Sequence, residues 1–140
     1  MEGVILTPLK KIYHPKGDIY HGMKKTDAGF AGFGEAYFST VKPGQVKGWN
    51  RHKHMTINLM VPIGSVKFVI IDGRIINKNN LLEVELSLKN YQRLTVPPGF
   101  WVGFQCTSNT ESLILNIADI EHDKNEIERT DLDQINYNWG

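Results

Sequence analysis

Apolar positions along this chain recur with a period of two, in short bursts cut by glycine, proline and polar residues. No window carries a long apolar pattern of helical period. Gly34 to Val41 alternates as a half-buried strand does, and Pro43-Gly44 then turns the chain. The same reading places strands at Val4 to Tyr13 and Asp18 to Lys24, divided by a turn at His14-Pro15-Lys16-Gly17. Thr56 to Pro62 and Val66 to Ile71 flank a hairpin-like Ile63-Gly64-Ser65. Asp72-Gly73 turns the chain again, and Asn77 to Asn80 form a polar loop. Leu82 to Leu88, Gln92 to Val96, Trp101 to Cys106 and Ser112 to Ala118 complete roughly eight to ten strands. Only Asp123 to Arg129 reads as helical, about two turns long. Strands this short and this frequent predict an all-β sandwich or barrel.

The sharpest local pattern lies between Lys47 and Asn58. Asn50, His52, His54, Thr56 and Asn58 fall on one face of an extended strand, and Trp49, Arg51, Lys53, Met55 and Ile57 on the other. If the even face points into a barrel it lines a polar cavity, because unpaired polar groups in a closed core are costly. The alternative is that the even face meets solvent and the cavity lies elsewhere.

Composition narrows the class without naming a chemistry. A chain of 140 residues has the size of one domain, taken as 1–140. Sixteen Lys and Arg against fifteen Asp and Glu give a net charge of +1, which argues against a nucleic-acid polymer as partner. The single Cys106 excludes an internal disulfide framework and a zinc–cysteine cluster, and reads best as a small buried hydrophobe. The apolar stretch near Met1 is too short for a signal peptide and no later run approaches membrane-spanning length, so a soluble, cytoplasmic protein is expected. Nucleotide-binding glycine loops, a P-loop, a Gly-x-Ser-x-Gly elbow and a Cys-x-x-Cys pair are all missing.

His52-x-His54 followed by Asn58 and Gly64, with Pro97-Pro98-Gly99 further on, resembles the two motifs of the cupin barrels. A metal cupin needs three histidines and a glutamate. Here Asn58 stands at the glutamate and Val102 at the last histidine, so no bound metal is expected, although His122 remains available as a third nitrogen. Within the cupins the chain resembles the dTDP-4-dehydrorhamnose 3,5-epimerase family over about Gly34 to Trp139. The matching segments are Val46-Lys47-Gly48-Trp49-Asn50, Gly64 to Asp72, Val96-Pro97-Pro98-Gly99-Phe100-Trp101-Val102-Gly103-Phe104, and the tail Ile127 to Asp131 with Asn138-Trp139. The resemblance implies a cupin-type jelly roll, pairing into a homodimer through outer sheets, a nucleotide-linked 4-keto-6-deoxysugar as substrate, and no cofactor.

It also implies a chemistry. The ketone acidifies the neighbouring C–H bonds, so epimerisation needs a base on one face, an acid on the other and a donor for the enolate oxygen. Three family positions are changed: Asn50 stands at the base histidine, Ile57 or Asn58 at the enolate-stabilising lysine, and His122 in the region of the acidic tyrosine. The altered site expected from these departures uses His52 as base, with His54 beside it and His122 as opposing acid. Asn50 or Asn58 would serve as enolate donor and Asp131 would orient one of the histidines. Lys47 would meet a phosphate, its odd parity reconciled by a bend at Gly48, and Trp101 would sit at the cavity rim. Plainer readings stand beside these. His52 and His54 would be a structural pair at a barrel mouth, His122 a surface histidine at a helix start, Phe104 core, and Tyr37 a half-buried strand residue like Tyr13, Tyr20 and Tyr91.

Three function classes follow. The first is an epimerase abstracting a proton next to the ketone. The second is a ketoisomerase on the same substrate class. The third is a sugar-binding cupin that has lost its base. Asn50 favours the binding module; His52, His54 and Asp131 favour an enzyme.

Overall fold

The computed structural model describes residues 1–72 and 80–140. The expected turn at Asp72-Gly73 and the polar loop Asn77 to Asn80 lie outside the described residues except for their ends, where the Asp72 amide donates to the Asn80 carbonyl at 3.1 Å.

The strands are β1 (Ile5–Pro8), β2 (Lys11–Ile12), β3 (Ile19–Tyr20), β4 (Glu35–Val41), β5 (Val46–His52), β6 (Ile57–Ile63), β7 (Ser65–Asp72), β8 (Leu81–Ser87), β9 (Gln92–Val96), β10 (Phe100–Cys106), β11 (Ser112–Ala118) and β12 (Ile127–Arg129). Two five-stranded sheets, ordered β1-β9-β6-β11-β4 and β12-β5-β10-β7-β8, face one another, and β2-β3 form a small separate ribbon. The strand pairs are antiparallel. This is the all-β jelly-roll barrel that the alternation and the motifs predicted. No helix among the described residues is long and apolar enough to cross a membrane.

The core sits between the sheets, where Val66, Phe68 and Ile70 of β7 meet Leu94 of β9 and Ile114 of β11. Each such burial contributes about 1.5–3 kcal/mol. Both outer faces are partly covered. On the first sheet, Arg93 is 0% exposed and donates to the carbonyls of Gly22 at 2.7 Å and Ala28 at 3.0 Å, and to Asp27 at 3.3 Å. It thereby pins the segment that precedes β4. On the second sheet, the C-terminal tail, including a 3-10 turn at Leu132–Gln134, folds back over β5 and β10.

Two expectations fail for local reasons. The expected strand Val4 to Tyr13 divides into β1 and β2, with Pro8 ending β1, and Asp18 to Lys24 shortens to Ile19–Tyr20. Asp123 to Arg129 is not helical. The Asp123 carboxylate takes the Asn125 amide at 2.9 Å and its carbonyl takes the Glu126 amide at 3.1 Å, making a turn. The chain then enters β12, whose backbone groups pair with the free edge of β5.

Candidate active site

The cavity between the sheets opens over β5, and two irregularities of that strand decide which side chains enter it. The first is a bulge: Val102 and Phe104 of β10 pair with Asn50 and Lys47 of β5, so three steps on one strand face two on the other. Lys47, Asn50 and His52 therefore all line the cavity despite their mixed parity. The bend expected at Gly48 is this bulge. The second is the break after His52, where residues 53–56 leave the strand before β6 begins. Parity is lost there. Ile57 and Leu59 line the cavity instead of Asn58, and His54 is exposed.

The cavity holds about 190 Å³. That is below the ~300–1,000 Å³ of sites that enclose a drug-sized ligand, so it has room for a group the size of one ring. Val102, Phe104, Ile57, Leu59 and Ile114 give it an apolar lining, and Tyr37, Ser39 and Asn116 enter from the opposite sheet.

His52 is held by a carboxylate. Its Nδ1 is hydrogen-bonded to Oε1 of Glu126, whose other oxygen accepts the amides of His54 and Met55, each at 3.2 Å. Glu126 is only 3% exposed. Burial pushes its carboxyl group up, but the bonds from His52 and from the two amides outweigh burial and hold it below the ordinary glutamate value. An ionised Glu126 only accepts, so Nδ1 carries the hydrogen and the Nε2 lone pair is free to take a proton. Histidine oriented by a buried carboxylate is the arrangement of a general base.

Across the cavity, Nδ2 of Asn116 donates to the Tyr37 oxygen at 3.0 Å, while Oδ1 of Asn116 accepts the Asn58 amide at 3.2 Å. That second bond fixes the carboxamide's orientation, so the Tyr37 hydroxyl keeps its own hydrogen to donate. Asn50 makes no side-chain hydrogen bond among the described residues and presents its carboxamide to the cavity on the same wall as His52. Lys47 lies at the edge, its ammonium on the Thr40 carbonyl at 2.6 Å.

Of the residues expected from sequence, Lys47, Asn50 and His52 come together and the others do not. His54 contributes only its amide. Asn58 is buried on the outer face, where its Nδ2 donates to Gly29 at 3.1 Å and its Oδ1 accepts from Thr95 at 2.6 Å, so it is a structural clamp. His122 is exposed and is not among the residues lining the cavity. Asp131 is exposed ahead of the 3-10 turn, and Glu126 occupies the orienting role expected of it. Trp101 is on the outer face, stacked under the Arg51 guanidinium at 4.6 Å. Phe104 lines the cavity while also packing on Phe68 at 5.7 Å. Sequence reasoning missed Glu126, Tyr37 and Asn116. The last two sit at inward positions of strands it did locate, so counting parity along β4 and β11 finds them. No group of three or more His, Cys, Asp or Glu placed to hold a metal occurs among the described residues.

No curated protein sequence matches the chain. A dTDP sugar isomerase from Desulfovibrio desulfuricans G20 is similar at 38% identity and TM-score 0.91, over 99% of this chain and 91% of that one. The dTDP-4-dehydrorhamnose 3,5-epimerase of Sulfolobus tokodaii shares the fold at 22% identity and TM-score 0.83, over 98% and 82% of the two chains. So does the sugar 3,4-ketoisomerase QdtA of Thermoanaerobacterium thermosaccharolyticum, at 21% identity and TM-score 0.77, over 93% and 90%. The kinship with the sugar-nucleotide epimerase barrels, first visible in the Pro-Pro-Gly-Phe segment, is borne out. A family model, FdtA: WxcM-like, C-terminal, matches residues 2–137, and the chain belongs to that family.

Proposed function

We propose that the protein is an isomerase that removes and returns a proton next to the ketone of a nucleotide-linked 4-keto-6-deoxysugar, as a 3- and/or 5-epimerase. The observation that carries this reading is the His52–Glu126 pair facing a sugar-sized cavity. Nε2 of His52 takes the acidic C–H proton. Asn50, on the same wall, donates to the oxygen on which the enolate charge develops. Tyr37, from the opposite sheet, delivers a proton to the other face of the enolate. Lys47 at the mouth meets a phosphate. Both proton transfers use side chains, so the reaction needs no cofactor or metal. The dTDP sugar isomerase that is 38% identical supports the substrate class.

Ketone migration on the same sugar is the second reading, favoured by the presence of one His–carboxylate pair in the cavity among the described residues, since one base can move a proton between adjacent carbons of one face. We also place the protein in the cytoplasm as a homodimer. Its one cysteine is free, and β4 is a sheet edge that carries Phe38 at 64% exposure. Light scattering in solution tests the dimer.

The test of function is incubation with dTDP-4-keto-6-deoxyglucose and its epimers in deuterated water. Deuterium at C3 or C5 is expected, and its loss in His52→Ala. Binding without exchange for every such sugar would leave a sugar-binding module. NMR of the product separates epimerisation from ketone migration.

A further inference from the structure

The wall that carries Lys47, Asn50 and His52 is supported from behind by an aromatic stack whose outermost member is near the end of the chain. Trp49, the residue inside the β5 bulge, is 0% exposed and points away from the cavity. Its ring lies 5.4 Å from Trp139 at 40° and 6.2 Å from Tyr137, edge-on at 87°. Tyr137 and Trp139 meet each other at 4.6 Å. The Trp49 backbone exchanges hydrogen bonds with Thr130 at 3.0 and 3.1 Å, and its Nε1 donates to the Leu132 carbonyl at 3.4 Å.

Space under the stack is closed. A Cβ at Gly103 would come within 2.9 Å of the Trp49 ring and 3.0 Å of Trp139, and a Cβ at Gly48 within 2.9 Å of the Gly103 Cα. The tail is also anchored at its far side: the Tyr137 hydroxyl donates to Glu83 at 2.7 Å, and the Lys67 ammonium lies 5.4 Å from both tail rings. The two residues flanking this clamped tryptophan, Gly48 and Asn50, sit at the point where β5 changes parity, so the bulge geometry sets the direction of Asn50 and Lys47.

The geometry points to Trp139 as a positioning residue: packed on Trp49, it fixes the β5 bulge and with it the aim of Asn50 and Lys47 into the cavity. It touches no substrate. It acts through Trp49, and it rests on the reading of the cavity as the site. The arrangement differs from ordinary core packing because the backbone it packs behind is a bulge, and that bulge lets Lys47 and Asn50, of opposite parity, line the cavity together.

The experiment compares Trp139→Ala and Trp139→Phe with the parent. Both variants are first checked for parent-like circular dichroism. In the deuterium-exchange assay Trp139→Ala should lower kcat by about 10- to 100-fold, the scale of a misplacement near 1 Å. KM should rise as well, because the same bulge aims Lys47, which meets the phosphate at the mouth. Trp139→Phe should recover most of kcat. A folded Trp139→Ala with parental kcat overturns the proposal, as does a loss that Phe fails to recover. A parent without exchange activity on any sugar would sink the functional reading but not this one. The side-chain amide resonances of Asn50 are therefore followed by NMR in the same variants. They should move in Trp139→Ala and return in Trp139→Phe, and an Asn50 signal unmoved in Trp139→Ala overturns the positioning role whatever the activity.

Discussion

Glu126 binds the ring of His52 with one oxygen and the amides of His54 and Met55 with the other, so one carboxylate both orients the imidazole and fastens the bend that ends β5. Replacement by glutamine keeps the shape and removes the charge. Glu126→Gln no longer enforces the Nδ1–H form of His52, and its NH2 group faces amide donors if its oxygen faces the ring. Exchange should fall by about 100-fold or more. Stability should drop by about 1.5–3 kcal/mol, the worth of hydrogen bonds to a charged group. Exchange kinetics and urea unfolding read the two effects separately. Parental exchange in this variant would remove Glu126 from the mechanism.

The same carboxylate makes stability depend on pH. Burial pushes its folded-state pKa up, but the His52 and amide bonds outweigh burial and hold it below the ordinary value of 4.5. The unfolded chain then binds more protons than the folded one in the window just below 4.5, so the unfolding free energy rises with pH across it. The contribution is complete above that value and is lost as pH falls through the folded-state pKa. Urea titrations of the parent and of Glu126→Gln between pH 3 and 6 should show the parent's advantage shrinking toward acid. A constant difference contradicts the assignment.

Tyr37 lines the cavity from the sheet opposite His52, and in the proposed reaction it returns the proton rather than removing it. In Tyr37→Phe, formation of the epimerised product should fall by about 10²- to 10⁴-fold. Deuterium exchange at the carbon served by His52 should fall much less, because removal and return on that face do not need the phenol. Equal losses in exchange and product would place Tyr37 in binding instead.

Arg93 is a buried cation whose guanidinium satisfies the Gly22 and Ala28 carbonyls and reaches Asp27. Arg93→Met fills much of the volume but leaves those carbonyls without their donor, and a cost of about 3–5 kcal/mol follows. Urea unfolding measures it. Hydrogen exchange should show the amides of Lys24 and Phe30, which donate to the Asp27 carboxylate and the Asp27 carbonyl, losing protection first. A loss under about 1 kcal/mol would mean the segment is held by other contacts.

Most strands were legible in the sequence because burial on one side writes itself as alternation, as in Glu35–Val41 and Ser112–Ala118. Gln92–Val96 was legible for another reason: Leu94 and Val96 face the core, while Arg93 and Thr95 lie buried under the segment that precedes β4. What was not legible depends on single backbone events. The bend at 53–56 moved Asn58 to the outer face, and a side-chain-capped turn at Asp123 replaced a helix by β12. Glu126 was hidden because a buried carboxylate inside a run of charged residues, Glu121 to Glu128, looks like a solvated surface. Only the fold brings it 74 residues back along the chain to His52. The anchoring of Trp49 away from the cavity was anticipated, whereas Trp101 went to the opposite side from the one expected because inward positions of β10 are the even ones.

Asn50 separates an enzyme from a binding module. Its carboxamide makes no side-chain hydrogen bond among the described residues and faces the cavity beside His52. If it donates to the enolate oxygen, its bond strengthens as charge develops, so it stabilises the transition state more than the bound ketone. Asn50→Ala should then lower kcat by about 10²- to 10³-fold with little change in KM. Asn50→Asp, equal in size, places a negative group against the growing negative charge and should be slower than the alanine variant. That order, with aspartate below alanine, is not expected of a residue that only shapes the pocket, since the isosteric change would then be the milder one. In a binding module both substitutions change affinity for the sugar nucleotide and nothing else, so isothermal titration beside the exchange assay decides between the two roles.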